Sequence, residues 1–195
     1  MSREFLRASA CILLFLSPHL TLAENANFTT SHFSGSGNCA TCHDGLTDTS
    51  GENVSIVRDW GTSMMANASK DPFWQAKVAT ELDRTKNLST DLSAVINDTC
   101  SKCHAPMANY EITQVQGGEL TLFGSDGILN PNHASYDAAM NGVSCTACHQ
   151  IDDVNLGTMD GFSGQYSIND TKTIYGQYID IFGQPMINNT GYTPT

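Results

Sequence analysis

Apolar residues are unevenly spread along this 195-residue chain. The densest run, CILLFL from Cys11 to Leu16, follows Arg3 and Arg7 and is closed by Thr21-Leu22-Ala23. A basic start, a short apolar stretch and a small-residue end form the pattern of a secretory leader, so residues 1–23 are expected to be removed. The run is far below the ~20 residues that cross a bilayer, and no later stretch is more apolar.

Beyond it, helical periodicity shows in two places. Asp71-Pro72 is a helix start, and Trp74, Val78 and Leu82 follow on one face, which predicts a helix to about Arg84. Leu92, Ile96, Cys100 and Cys103 form a second stripe, predicting a helix that begins near Ser89 or Thr90. Tyr136 to Met140 reads as a short helix. Residues 24–38 and 44–56 are polar and irregular. Residues 111–133 read as a loop with one short strand pair near Thr121-Leu-Phe123, because glycine and proline interrupt every pattern there. From 152 to 195 only Ile174 to Phe182 reads as an ordered element.

Composition narrows the function. Hydrophobic residues make up 40% of the chain, charged residues 15%, and the formal charge is -11. Nine Lys plus Arg against twenty Asp plus Glu cannot build the basic footprint of a nucleic-acid-binding protein. Without residues 1–23 the balance is seven basic to nineteen acidic residues, a charge of -12. Such a surface is expected to steer toward basic docking faces on partner proteins and to resist self-association, although oligomers remain compatible with it.

Cysteine usage is the decisive signal. Cys11 belongs to the leader, and the other six fall into Cys39-Ala-Thr-Cys42-His43, Cys100-Ser-Lys-Cys103-His104 and Cys145-Thr-Ala-Cys148-His149. Two thiols about one helical turn apart can add to the two vinyl groups of one haem, and the next residue then presents its imidazole to the iron. Disulfides would not explain a His after each pair. Zinc sites of four cysteines would leave one pair over. Three covalent haems c are therefore expected, with His43, His104 and His149 as proximal ligands. Three macrocycles also supply apolar mass to a polar chain, with Trp60, Phe73 and Trp74 expected against them.

The three motifs, together with Trp60-Gly-Thr-Ser63-Met64-Met65-Ala66, Cys100 to Met107 and Gly142 to Ile151, make the chain resemble multihaem c-type cytochromes of bacterial respiratory chains. The similar subfamily is the cytochrome c-552/c-554-type multihaem group, whose members often carry further haem motifs beyond this point. The resemblance therefore implies a truncated relative. The expected architecture is mainly α with extensive irregular loops, one domain over 24–195 packed around three covalent haems.

Distal ligands are fewer than the irons need. After His19 leaves with the leader, only His32 and His133 remain for three distal positions. At least one iron takes a Met, a ligand from elsewhere, or none. Met65, followed by Met64, is the methionine candidate. Met107 is only three residues after its own motif's His and lies on the wrong face for that iron. Mixed His and Met ligation would spread the haem potentials. The expected function is electron transfer between respiratory redox partners, in the periplasm or outside the cell, without substrate turnover. Two alternatives stand beside it: a reductase of a small oxyanion with one open haem, which the scarcity of Arg and Lys disfavours, and a module of a larger cytochrome conduit or filament.

Overall fold

The computed structural model describes residues 25–195, so the expected leader and Cys11 lie outside the described residues. The chain is mainly helical, with long loops and little strand. Its helices are α1 (Ser36–His43), α2 (Ile56–Gly61), α3 (Pro72–Thr85), α4 (Ser93–His104), α5 (Pro106–Tyr110), α6 (Tyr136–Met140), α7 (Cys145–His149) and α8 (Gln184–Thr190). Strands β1 (Thr173–Ile174) and β2 (Thr193–Pro194) pair in parallel, with Thr173 opposite Thr193. Among the described residues, no helix is long and apolar enough to cross a membrane.

Helix α3 forms for the reasons its sequence contains. The Asp71 carboxylate accepts from Phe73 N at 2.9 Å, Pro72 occupies the first turn, and Trp74 and Val78 are buried. Helix α4 starts at Ser93, a few residues later than expected. The Asp91 side chain accepts from Ser93 N at 2.9 Å, so the first free turn begins only after Asp91. Its packing face is the polar one. Asn97 and Ser101 are buried, with Asn97 Oδ1 accepting from Leu122 N at 3.3 Å and Ser101 Oγ accepting from Asn109 Nδ2 at 2.9 Å. Ile96 and Cys100 are half-buried against the edge of the core, and Cys103 is exposed.

The strand pair expected near Thr121–Phe123 is not formed. Instead α5 runs into one turn of π-helix over Glu111–Val115, and a tight loop follows. Ile128 N donates to Thr121 O at 2.9 Å and Leu129 N to Leu122 O at 3.2 Å, which is too short a ladder for strands. Gly127 lets the loop close: a Cβ there would lie 2.5 Å from Leu122 O. The loop delivers Leu122 and Ile128, both fully buried, into a core shared with Phe33, Trp74, Val78, Met107 and Ala139. In the C-terminal part, ordered structure falls on β1 and on α8, and Ile174 to Phe182 is strand only at Ile174. Helix α8 has no apolar stripe to announce it. Its signals are Pro185 in its first turn and Gly191, at φ 75°, just past its end.

The lead-in to the first motif is locked onto the third. Ser36 N donates to Asn141 Oδ1 at 3.0 Å and Asn141 Nδ2 donates to Ser36 Oγ at 2.8 Å, with both residues fully buried. Ser34 N donates to Thr146 Oγ1 at 3.2 Å, and that hydroxyl donates back to Ser34 O at 2.9 Å. Asn141→Ala strands one buried N–H and one buried hydroxyl, and is expected to cost about 2 kcal/mol. Removing the α3 cap with Asp71→Ala is expected to cost about 1 kcal/mol. Denaturant midpoints of the holoprotein check both, and an Asn141→Ala loss no larger than the cap loss would refute the lock.

Candidate haem-binding sites

Each Cys-x-x-Cys-His unit closes a helix, so α1, α4 and α7 all end on a histidine. A helix brings the two thiols of a unit to one side and places the His ring one residue beyond the second. All six thiols are free. His104 and His149 are held in the orientation an iron ligand requires. The Nδ1–H of His104 faces Ala68 O at 2.8 Å and that of His149 faces Tyr175 O at 2.7 Å. A carbonyl partner fixes the proton on Nδ1 and leaves the Nε2 lone pair free for metal. Trp74 stacks on His104 with ring centroids 4.4 Å apart and planes 7° from parallel. His43 is exposed at the end of α1. Free thiol pairs and oriented imidazoles fit covalent haem.

The motifs meet through the third. Cys39 and Cys145 lie side by side; their interaction holds the Cys145 thiol below the ordinary range and pushes Cys39 above it, with burial adding to the rise. Burial also raises Cys148 and Cys100, each further raised by the other cysteine of its own motif. Tyr166 touches the second motif, its hydroxyl donating to Lys102 O at 3.2 Å.

The distal candidates are placed very differently. Met65 is half-exposed and Met64 is 87% exposed, on a segment whose backbone is fixed. Val143 N donates to Met65 O at 3.0 Å, and Trp60 Nε1 donates to Val143 O at 2.9 Å. Gly142, at φ 60°, makes this approach feasible, since a Cβ there would lie 2.5 Å from Met65 O. Met65 is thereby bolted just ahead of Cys145. His32 sits beside the third motif. Its carbonyl accepts from Gln150 Nε2 at 2.9 Å and from Tyr192 Oη at 2.7 Å. Its Nε2 is 3.2 Å from Asp170 and its Nδ1 3.4 Å from the buried Glu111. His133 Nδ1 accepts from Ser135 N at 3.0 Å, which puts the proton of a neutral ring on Nε2. Met107 is fully buried, its sulfur accepting from Thr146 at 3.7 Å, and belongs to the core. Of the aromatics expected against haem, Trp74 is buried, Trp60 half-buried and Phe73 80% exposed.

Several participants lie outside the sequence reasoning. The carbonyls of Ala68 and Tyr175 carry no side-chain signal. Tyr166 and Glu111 do: an aromatic in a polar tail, and an acid directly after a Pro-initiated helix.

A family model described as cytochrome c554 and c-prime matches residues 38–150. No curated protein and no solved structure matches the chain.

Stacking of Trp74 on His104 predicts that Trp74→Ala costs about 3 kcal/mol and alters the low-spin EPR signal of one haem while the others keep theirs. Equal shifts at every haem, or none, would show that the contact does not orient His104.

Proposed function

The chain belongs to the cytochrome c554 and c-prime family and is accordingly an electron-transfer cytochrome with covalent haem c; we propose that it holds three such haems and works as an exported carrier between respiratory redox partners. The observation that carries this reading is the repetition of one site three times, each motif ending its helix on His, with two of the three rings already turned by a backbone carbonyl. Covalent haem c supplies an iron that exchanges one electron without bond making at a substrate. The chain's own residues hold spacing, ligand orientation and water access.

Cys39 and Cys42, Cys100 and Cys103, and Cys145 and Cys148 form the thioethers, and His43, His104 and His149 are the proximal ligands. For the distal positions, Met65 leads. Its thioether is exposed at a surface while Val143 and Gly142 pin its backbone, so it can reach an iron without reorganising the fold. Met64 is the adjacent alternative. His32 becomes a ligand by exchanging Asp170, itself exposed, for the iron. His133 would first have to release Ser135 N. A Met at one site and His at others would separate the potentials along the chain.

The test is made on the purified holoprotein. Its mass is expected to lack residues 1–23 and to include three haems. All haems are expected to be low-spin and indifferent to carbon monoxide and nitrite, and Met65→Leu is expected to create one haem that binds carbon monoxide. Fewer than three haems refutes the count, and a Met65→Leu protein that stays closed refutes that ligand. A wild-type haem that binds nitrite would favour the oxyanion reductase instead. Haem spectra that become low-spin only on self-assembly would favour the conduit module.

The acidic balance of the chain supports basic docking faces on its partners. Electron exchange with such a partner is expected to slow as salt rises and the screening length contracts from about 30 Å at 0.01 M to about 8 Å at 0.15 M. A rate independent of salt in stopped-flow mixing would remove the steering.

A further inference from the structure

Residues 164–169 strap the second motif to the third. On one side Gly164 lies directly against Lys102, where a Cβ would be 2.8 Å from that of Lys102, and the Tyr166 hydroxyl donates to Lys102 O at 3.2 Å. Lys102 stands between Cys100 and Cys103. On the other side the strap is bound to the residues that follow His149. Asp152 N donates to Ser167 O at 2.9 Å, Asn169 N donates to Gln150 O at 3.0 Å, and Ile151 and Ile168 form an antiparallel bridge. Ile168 is buried, so the strap is anchored in the core. The Tyr166 ring therefore starts from backbone tied to the third motif and ends on backbone of the second.

We propose that Tyr166 is the spacer between the second and third haems, an apolar ring that keeps water out of the gap and so sets how strongly the two sites interact. This rests on the three-haem reading given above. The strap reaches the anchoring cysteines of both macrocycles through their chain neighbours: Lys102, which the Tyr166 hydroxyl contacts, directly precedes Cys103, and Gln150, which Asn169 N contacts, stands two residues after Cys148. Burial holds the phenol above its ordinary range, so it remains neutral and adds no charge to the gap. Transfer across it makes and breaks no bond: the electron that one iron loses, the other gains, and the phenol keeps its proton. Repulsion between the two added electrons scales inversely with the local dielectric, so a dry ring makes reduction of one site oppose reduction of the other more strongly than a wet gap would.

Tyr166 acts here as a positioning residue, and its signature is pairwise. Haem-methyl NMR shifts followed through staged reduction of the full holoprotein give the redox interaction of each haem pair. In Tyr166→Ala, water replaces the ring, and the interaction between the second and third haems is expected to fall by about twofold or more, with the first–third pair unchanged. Tyr166→Phe keeps the ring and is expected to keep the interaction. Tyr166→Gln, polar and of similar reach, carries the same expectation as Ala if the Ala protein loses haem. An unchanged second–third interaction in Ala or Gln, an equal change at all pairs, or a Phe variant that behaves like Ala would each overturn the spacer. A wild-type mass with fewer than three haems would instead overturn the reading on which it rests.

Discussion

Buried hydrogen bonds between residues 32–36 and residues 141–150 hold the whole arrangement together. Asn141 and Thr146 satisfy backbone and hydroxyl groups that would otherwise be orphaned in the core, and Gln150 adds the carbonyl of His32. A polar lock of this kind is directional, whereas apolar packing is not. It sets the first motif against the third in one register, and the contact between Cys39 and Cys145 follows from it. The third motif is thus the hub, with the first motif on one side and the strap of residues 164–169 leading to the second on the other.

The same logic accounts for a modest core. Its largest fully buried side chains are few, led by Phe33, Met107, Leu122 and Ile128. Large apolar residues such as Phe73, Ile179 and Phe182 stay exposed. In α4 the fully buried positions are Asn97 and Ser101, each hydrogen-bonded, while Ile96 and Cys100 sit half-buried at the edge of the core and Cys103 is exposed. Burying a satisfied polar stripe costs little, and it leaves the outer side of the half-buried positions for a bulky hydrophobic partner.

What was legible in the sequence was whatever a side chain announces locally. Asp71-Pro72 announced α3, and the Cys-x-x-Cys-His units announced the haem c chemistry that the family match supports. Tertiary contacts decided the rest. Thr121–Phe123 has strand-forming residues, but Gly124 and Gly127 turn the chain too soon for a ladder. Glycine and proline bound α8 without an apolar stripe between them, so periodicity missed it. The groups that orient His104 and His149 are main-chain carbonyls, identical at every residue and visible only once the fold brings Ala68 and Tyr175 alongside.

Histidine scarcity gives the segment from Trp60 to Trp74 an importance its length does not suggest. It contacts the third motif's lead-in through Val143 and Gly142, and the second motif through Ala68 O and the Trp74 ring on His104. It also carries Met64 and Met65. One stretch therefore orients His104 at one motif and, on the ligand set proposed above, offers a distal ligand beside another. A carbonyl on Nδ1 makes an imidazole a stronger donor, which stabilises ferric iron, whereas a thioether favours the ferrous state. His149 has the same kind of partner in Tyr175 O, so under the ligand set proposed above it is the thioether that separates the potentials, and a single rigid element presents it. Its rigidity is what preserves the difference: Asn67 ties its own turn to Gly61 O and Ser63 O, and Ala66 is fully buried.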